Sequence, residues 1–168
     1  MVNNVVLNTN CLIASLSKRG NYFKVWNDLH AGKYILCVSN EILEEYEEII
    51  AQKANPQIAA NVIQTLINSP YVRLIETYFR FNLIDKDKDD NKFVDCAIAA
   101  NASFIVSEDS HFKKLKEVPF PQVTVIRLSQ FIHILNGKKL YDVIESNKYN
   151  VNEDEIEYQT KKKQASDK

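Results

Sequence analysis

The stretch DKDKDDNKFVDCAIAANASFIVSED, Asp85 to Asp109, decides how the rest of the chain is read. Phe93, Val94, Ala97 and Ile98 recur at one-four-five spacing, the pattern of an amphipathic helix with one buried face. Phe104, Ile105 and Val106 follow as a short apolar run, which predicts a strand buried on both sides. Asp89, Asp90 and Asn91 stand where a helix takes its N-cap and first-turn acids. Capping does not require all of the aspartates that precede this helix, Asp85, Asp87, Asp89 and Asp90. At about 100° per residue, Asp90 falls near the centre of the apolar face and Asp95 well round toward the polar one. Asp90 is therefore expected to point across the end of the sheet, toward the place where Asp109 leaves its strand.

Two carboxylates that converge in a partly desolvated place repel each other, so a proton or a cation must come between them. An all-oxygen, carboxylate-rich site suits a hard divalent ion, Mg²⁺ or Mn²⁺. A calcium loop is the competing pattern, with Asp85, Asp87 and Asp89 in its first, third and fifth places. It fails at the sixth place, where Asp90 replaces glycine, and at the twelfth, where Cys96 replaces glutamate.

Working outward, Val5 to Leu7 predicts a strand, and Cys11 to Leu16 a helix capped by Thr9 or Asn10. Tyr22, Phe23, Val25, Trp26 and Leu29 form an apolar helical stripe, read as core, that stops at Gly32. Tyr34 to Val38 predicts a second strand, after which Ser39 caps a helix with the buried stripe Ile42, Leu43, Tyr46, Ile49 and Ile50. Among that helix's glutamates, Glu45 flanks the stripe near the helix's start, just past the end of a strand. Asn55-Pro56 breaks the pattern before a helix ending near Ser69-Pro70, and Val72 to Ile75 predicts a third strand. The aromatic run Tyr78, Phe79 and Phe81 carries no assignment. Beyond Asp109, His111 to Leu115 reads as a short helix, Val123 to Ile126 as a strand, and Ser129 to Leu135 as a helix ending at Gly137. This alternation predicts an α/β fold with a mostly parallel sheet of about five strands, covered on both faces. Ligands of such folds bind outside the carboxyl ends of the strands. Asn8, Glu45, Asp90 and Asp109 would share that edge.

The 168 residues suffice for one domain with a real core, expected over 1–137, with a C-terminal helix and a polar, disordered tail over 138–168. A net charge of -1 gives no overall attraction to polyanions, so a nucleic-acid site has to be a local patch. Cys11, Cys37 and Cys96 follow no CxxC spacing and lie in or beside apolar runs, which suits buried thiols in a reducing compartment. There is no charged-then-apolar signal segment, and no apolar run approaches ~18 residues. No membrane association is expected, and a cytoplasmic location is.

VVLNTN at the first strand, SNEILEEYEEII after the second, DDNKFVDCAIAANA in the central helix and FIVSEDSHF at the fourth strand resemble the PIN-domain ribonucleases, named for the PilT N-terminus. Within that family they resemble the toxins of bacterial toxin-antitoxin pairs, over about Asn4 to Leu135. The resemblance implies a three-layer α/β/α sandwich and phosphodiester cleavage by three or four acids that hold Mg²⁺ or Mn²⁺. It places Asn8 at the first acidic position, Glu45 at the second, Asp90 at the third and Asp109 at the fourth, with Asp95 a rival or helper for the third. Asn10, Ser39 and Ser107 match polar positions that support the acids. Lys113, Lys114, Lys116 and Arg127 lie downstream of Asp109, where they offer positive potential to an RNA backbone. His111 is read as a surface or packing residue. An RNA substrate, a small antitoxin partner and homodimerisation are further implications of the resemblance.

The departure from that family is Asn8, where aspartate is usual. An amide oxygen still ligates a hard cation, but it brings no charge and cannot act as a base. Weaker metal binding and lower activity are therefore expected. A phosphatase with an aspartyl nucleophile would also open on a strand and an acid-x-acid motif. Both acids are asparagine here, Asn8 and Asn10, which leaves it no nucleophile. The non-enzymatic alternative is an impaired module of this fold that binds RNA or a protein.

Overall fold

Residues 3–146 are described by the structure, a computed structural model. Five parallel strands, β1 (Asn3–Leu7), β2 (Tyr34–Val38), β3 (Val72–Leu74), β4 (Phe104–Val106) and β5 (Val125–Ile126), form one sheet in the order β3-β2-β1-β4-β5. Helices fill the connections: α1 (Thr9–Leu16), α2 (Phe23–His30), α3 (Asn40–Lys53), α4 (Pro56–Ile67), α5 (Asn91–Ala99) and α6 (Leu128–Leu135). Because β1 lies centrally, with Val5 in register with both Leu36 and Phe104, its Val5, Val6 and Leu7 are wholly buried. Each such side chain contributes about 1.5–3 kcal/mol by leaving water.

Both faces of the sheet are covered, as the continuous apolar runs require. Tyr34 faces α2 and α6: its hydroxyl donates to the Val25 carbonyl at 2.9 Å, and its ring meets Phe131 edge-on at 5.0 Å. Cys37, three residues on, points to the other side by strand alternation. There α5 packs against β1, β2 and β4. Gly32, between α2 and β2, has φ +71°, and a Cβ there would lie 2.6 Å from the Tyr71 ring, so neither the backbone nor the space admits another residue easily.

Several local expectations are corrected. The first helix starts at Thr9 and its N-cap is Asn8, not Thr9 or Asn10, because the Asn8 side chain accepts the Asn10 N–H. Tyr22, Phe23 and Trp26 are only half-buried; the stripe of α2 is anchored by Val25 and Leu29 instead. Helix α5 is not buried on one face alone. Asn91, Asp95 and Cys96 are buried along with Phe93, Val94 and Ala97. The extra cover is the segment between β3 and α5, which hydrogen-bonds to Asn91 and Asp95. The third strand ends at Leu74, and the last one begins only at Val125.

The chain divides into two compact units, Met1–Ile132 and His133–Lys168. The described part of the second contains the end of α6, a turn at Gly137 and a helix over 140–146. The polar tail expected from Asn150 onward lies outside the described residues. Among the described residues no helix is long and apolar enough to cross a membrane.

Candidate active site

The carboxyl ends of the parallel strands and the N-terminus of α5 bring the polar residues together. Asn8 follows β1 directly, its backbone N–H donating to Val106 at 3.0 Å, so the ladder between β1 and β4 fixes its position. Its side chain is spent on the Asn10 N–H at 3.2 Å and is 7% exposed. Ser39, buried after β2, caps α3 by accepting the Ile42 N–H at 3.3 Å, which sets where Glu45 begins its reach. Glu45 then accepts the Thr9 hydroxyl at 2.6 Å and pairs with Lys92.

Asp90 occupies the N-cap of α5 yet makes no capping hydrogen bond. Asp87 caps the preceding 3₁₀ turn instead, accepting the Asp89 N–H at 3.0 Å. The Asp90 carboxylate faces the segment after β4, where His111 Nδ1 lies 3.2 Å away. Asp109 accepts the backbone N–H of His111 at 2.9 Å and stands 3.4 Å from its Nδ1. Asp109 is itself held by Ser107, whose hydroxyl oxygen accepts the Asp109 N–H at 3.0 Å. The two acids expected to converge do so, and the group between them is an imidazole.

Burial pushes the Asp90 carboxyl up to about 6, helped by the neighbouring charges of Asp109 and Asp87 and opposed by the hydrogen bond from His111. Lys92 is held above its ordinary value: burial lowers it, but hydrogen bonds to Glu45 and Asp89 outweigh that. One end of the site, Thr9, Glu45, Lys92 and Asp89, is thus internally paired. The other end, Asp87, Asp90 and His111, has ligand atoms within 4.8 Å of one another. Two carboxylates and an imidazole at that spacing suit a divalent ion, and the buried Asp90 carboxylate gains most from one.

Other expected site residues have other partners. Asp95 is buried rather than on a polar face, because the segment before α5 crosses over it; its carboxylate accepts the Phe81 N–H at 3.0 Å. The Asn10 side chain accepts from Lys53 at 3.2 Å, turned toward the end of α3. Lys114 pairs with Asp85, and Arg127 lies 3.9 Å from Glu108, so both are partly neutralised. Lys113 and Lys116 are exposed. His111, Asp87 and Lys92 are the residues the sequence reading did not place in the site. The spacing of His111 two residues after Asp109 was the one available signal, and it is as common in solvent-facing turns.

Residues 4–111 match the family described as PIN domain. No curated protein matches the chain. Among solved structures, a chain of VapBC2 from Rickettsia felis, crystallised with a DNA fragment from their promoter, is similar at TM-score 0.54 and 15% identity, covering 74% of this chain and 98% of that one. The PIN domain endonuclease Utp24 is similar at TM-score 0.46 and 14% identity, over 74% of this chain and 84% of that one.

Proposed function

Since the chain belongs to the PIN-domain family of nucleases, we propose that it is a metal-dependent endoribonuclease, the toxin of a toxin-antitoxin pair, attenuated by Asn8 at the first acidic position. The observation that carries this is the meeting of Asp90, from the head of α5, with His111 and Asp109, from the end of β4. Residues so far apart in sequence converge at the edge of a parallel sheet where such folds bind their ligands. Asp87, Asp90 and His111 are the groups that would hold a Mg²⁺ or Mn²⁺ ion. When bound, such an ion supplies Lewis-acid polarisation of a scissile phosphate and a water of lowered pKa. Asp109 orients His111 through its backbone N–H, and Ser107 orients Asp109. Lys92, paired with Glu45 and Asp89, offsets part of the negative charge that an incoming phosphate would meet. The RNA, a small antitoxin protein as partner, a homodimer and a cytoplasmic setting complete the proposal.

Asn8 supports a second reading, an impaired module that binds RNA or protein without cutting. Titration of Mn²⁺ into this protein and its Asn8→Asp form, on a fluorogenic RNA with Asp109→Ala as control, separates the two. Cleavage that rises with Asn8→Asp and vanishes in the control supports the nuclease. Binding of RNA with no cleavage in either form supports the module.

A further inference from the structure

We infer that Asp87, Asp90 and His111 form a site for one divalent transition-metal ion, bound through an imidazole nitrogen as well as carboxylates and preferring Co²⁺ or Zn²⁺ to Mg²⁺. This deepens the nuclease reading and rests on its claim that the site holds a cation, but it does not require RNA to be the substrate. The three side chains come from two places, the 3₁₀ turn that leads into α5 and the segment after β4, and their ligand atoms converge within 4.8 Å. Asp90, with helical dihedrals at the end of the 3₁₀ turn, has no capping bond to make, and its carboxylate lies 3.2 Å from the His111 ring nitrogen. Asp109 Oδ1 accepts the His111 backbone N–H at 2.9 Å and stands 3.4 Å from Nδ1, so both Asp90 and Asp109 border that ring nitrogen. That arrangement presents Nδ1 at the place where a cation between Asp87 and Asp90 would sit.

The ligand set decides the ion. Mg²⁺ demands oxygen ligands and keeps several waters, whereas imidazole nitrogen favours the later divalent ions, whose affinities rise from Mn²⁺ through Co²⁺. The count follows from the other end of the site. Asn8 is neutral, and Glu45 is already matched by Thr9 and by the Lys92 ammonium, which also pairs with Asp89 at 3.0 Å. A second ion would have to displace that lysine.

The test uses the full chain, stripped with chelator, and calorimetric titration with Mg²⁺, Mn²⁺, Co²⁺ and Zn²⁺. The visible spectrum of bound Co²⁺ reports nitrogen ligation. The expected result is one site per chain, with Co²⁺ and Zn²⁺ at least about tenfold tighter than Mg²⁺. His111→Asp removes most of that preference, and His111→Asn, with thermal unfolding checked for both, lowers Co²⁺ affinity as well. Equal affinity for Mg²⁺ and Co²⁺, a preference that survives His111→Asp, or no binding of any ion would overturn the inference. RNA cleavage assayed alongside separates the two claims. One Co²⁺ bound as expected with no cleavage counts against the nuclease alone. Mg²⁺-dependent cleavage indifferent to His111→Asp counts against the imidazole site alone.

Discussion

The Glu45 carboxylate is paired with the ammonium of Lys92, two residues beyond the Asp90 that heads the same helix. The lysine side chain is 10% exposed and also bonds Asp89 at 3.0 Å, so its charge is fixed in place. A fixed positive charge near the proposed cation site opposes cation entry. Lys92→Met is therefore expected to tighten Mn²⁺ binding by roughly tenfold, the scale of a unit charge acting across a partly screened gap of several ångströms. Calorimetric titration of the two proteins measures it. Affinity unchanged by the substitution would mean that Lys92 and the bound ion do not sense each other.

Placing a carboxylate at position 8 changes one atom type at nearly constant volume. The side chain already accepts the Asn10 N–H at the start of α1, a role that carboxylate fills as well and that the helix dipole favours. The fold should therefore tolerate Asn8→Asp. Mn²⁺-dependent cleavage is expected to rise by about tenfold or more, equivalent to ~1.4 kcal/mol of barrier. A rate that stays the same, in protein shown to be folded, would mean that position 8 does not limit the reaction.

Asp90 gives the metal-free protein a pH dependence whose sign follows from its raised carboxyl. The folded value of about 6 exceeds the ordinary carboxyl value of 3.8, so folding favours the protonated form. Its stabilising contribution is complete below about 4 and is lost as pH rises through about 6. In chelator, Asp90→Asn should therefore gain melting temperature over the parent as pH is raised across that window, with little difference below it. Parallel melting curves for the two proteins across the window would show that burial does not penalise the Asp90 charge.

How much of this was legible in the sequence depends on which interaction fixes each residue. The strands at Val5, Tyr34 and Phe104 were legible because each is a short apolar run buried on both sides, and burial writes itself into composition. Ser39 announced its helix because caps are local, a side chain reaching an N–H three residues on, and Asn55, read only as a break, caps α4 in the same way. Asp90 on the inner side of α5 followed from helical angle alone. Asp95 did not, because its burial comes from residues 80–81 folding back over the helix, a long-range event with no periodic trace. For the same reason His111 was read as a surface or packing residue and Lys92 was not singled out: their partners, Asp90 and Glu45, are distant in sequence.

The segment before α5 is pinned chiefly by Asn91. Its side chain accepts the Ile84 N–H and donates to the Ile84 carbonyl, both at 2.9 Å, and also donates to Lys88 at 3.2 Å. Asn91→Ala leaves buried backbone groups without partners, at about 1–3 kcal/mol for such a loss. Hydrogen exchange should report faster opening of residues 82–90 while the β1 and β4 amides keep their protection. Uniform acceleration across the sheet would mean that this segment unfolds only with the whole domain.

Asp95 and Asp90 sit on one helix but answer to different neighbours, which makes them separable by experiment. Asp95 accepts the Phe81 N–H at 3.0 Å, and burial raises its carboxyl above the ordinary range, eased by that bond and by Arg80. Asp90 instead faces His111 and Asp87. Asp95→Ala deprives a backbone N–H of its partner and should cost about 1–3 kcal/mol of stability. It should leave divalent-ion affinity within about twofold, since on the scale of individual contacts a ligand loss costs far more. Asp90→Ala should do the reverse, abolishing high-affinity binding in a protein that remains folded, because the residue forms no capping bond to lose. Denaturant unfolding and ion titration of both variants give the two readouts. If Asp95→Ala loses the ion while its unfolding free energy is unchanged, Asp95 is a ligand and the assignment of the third acidic position passes to it.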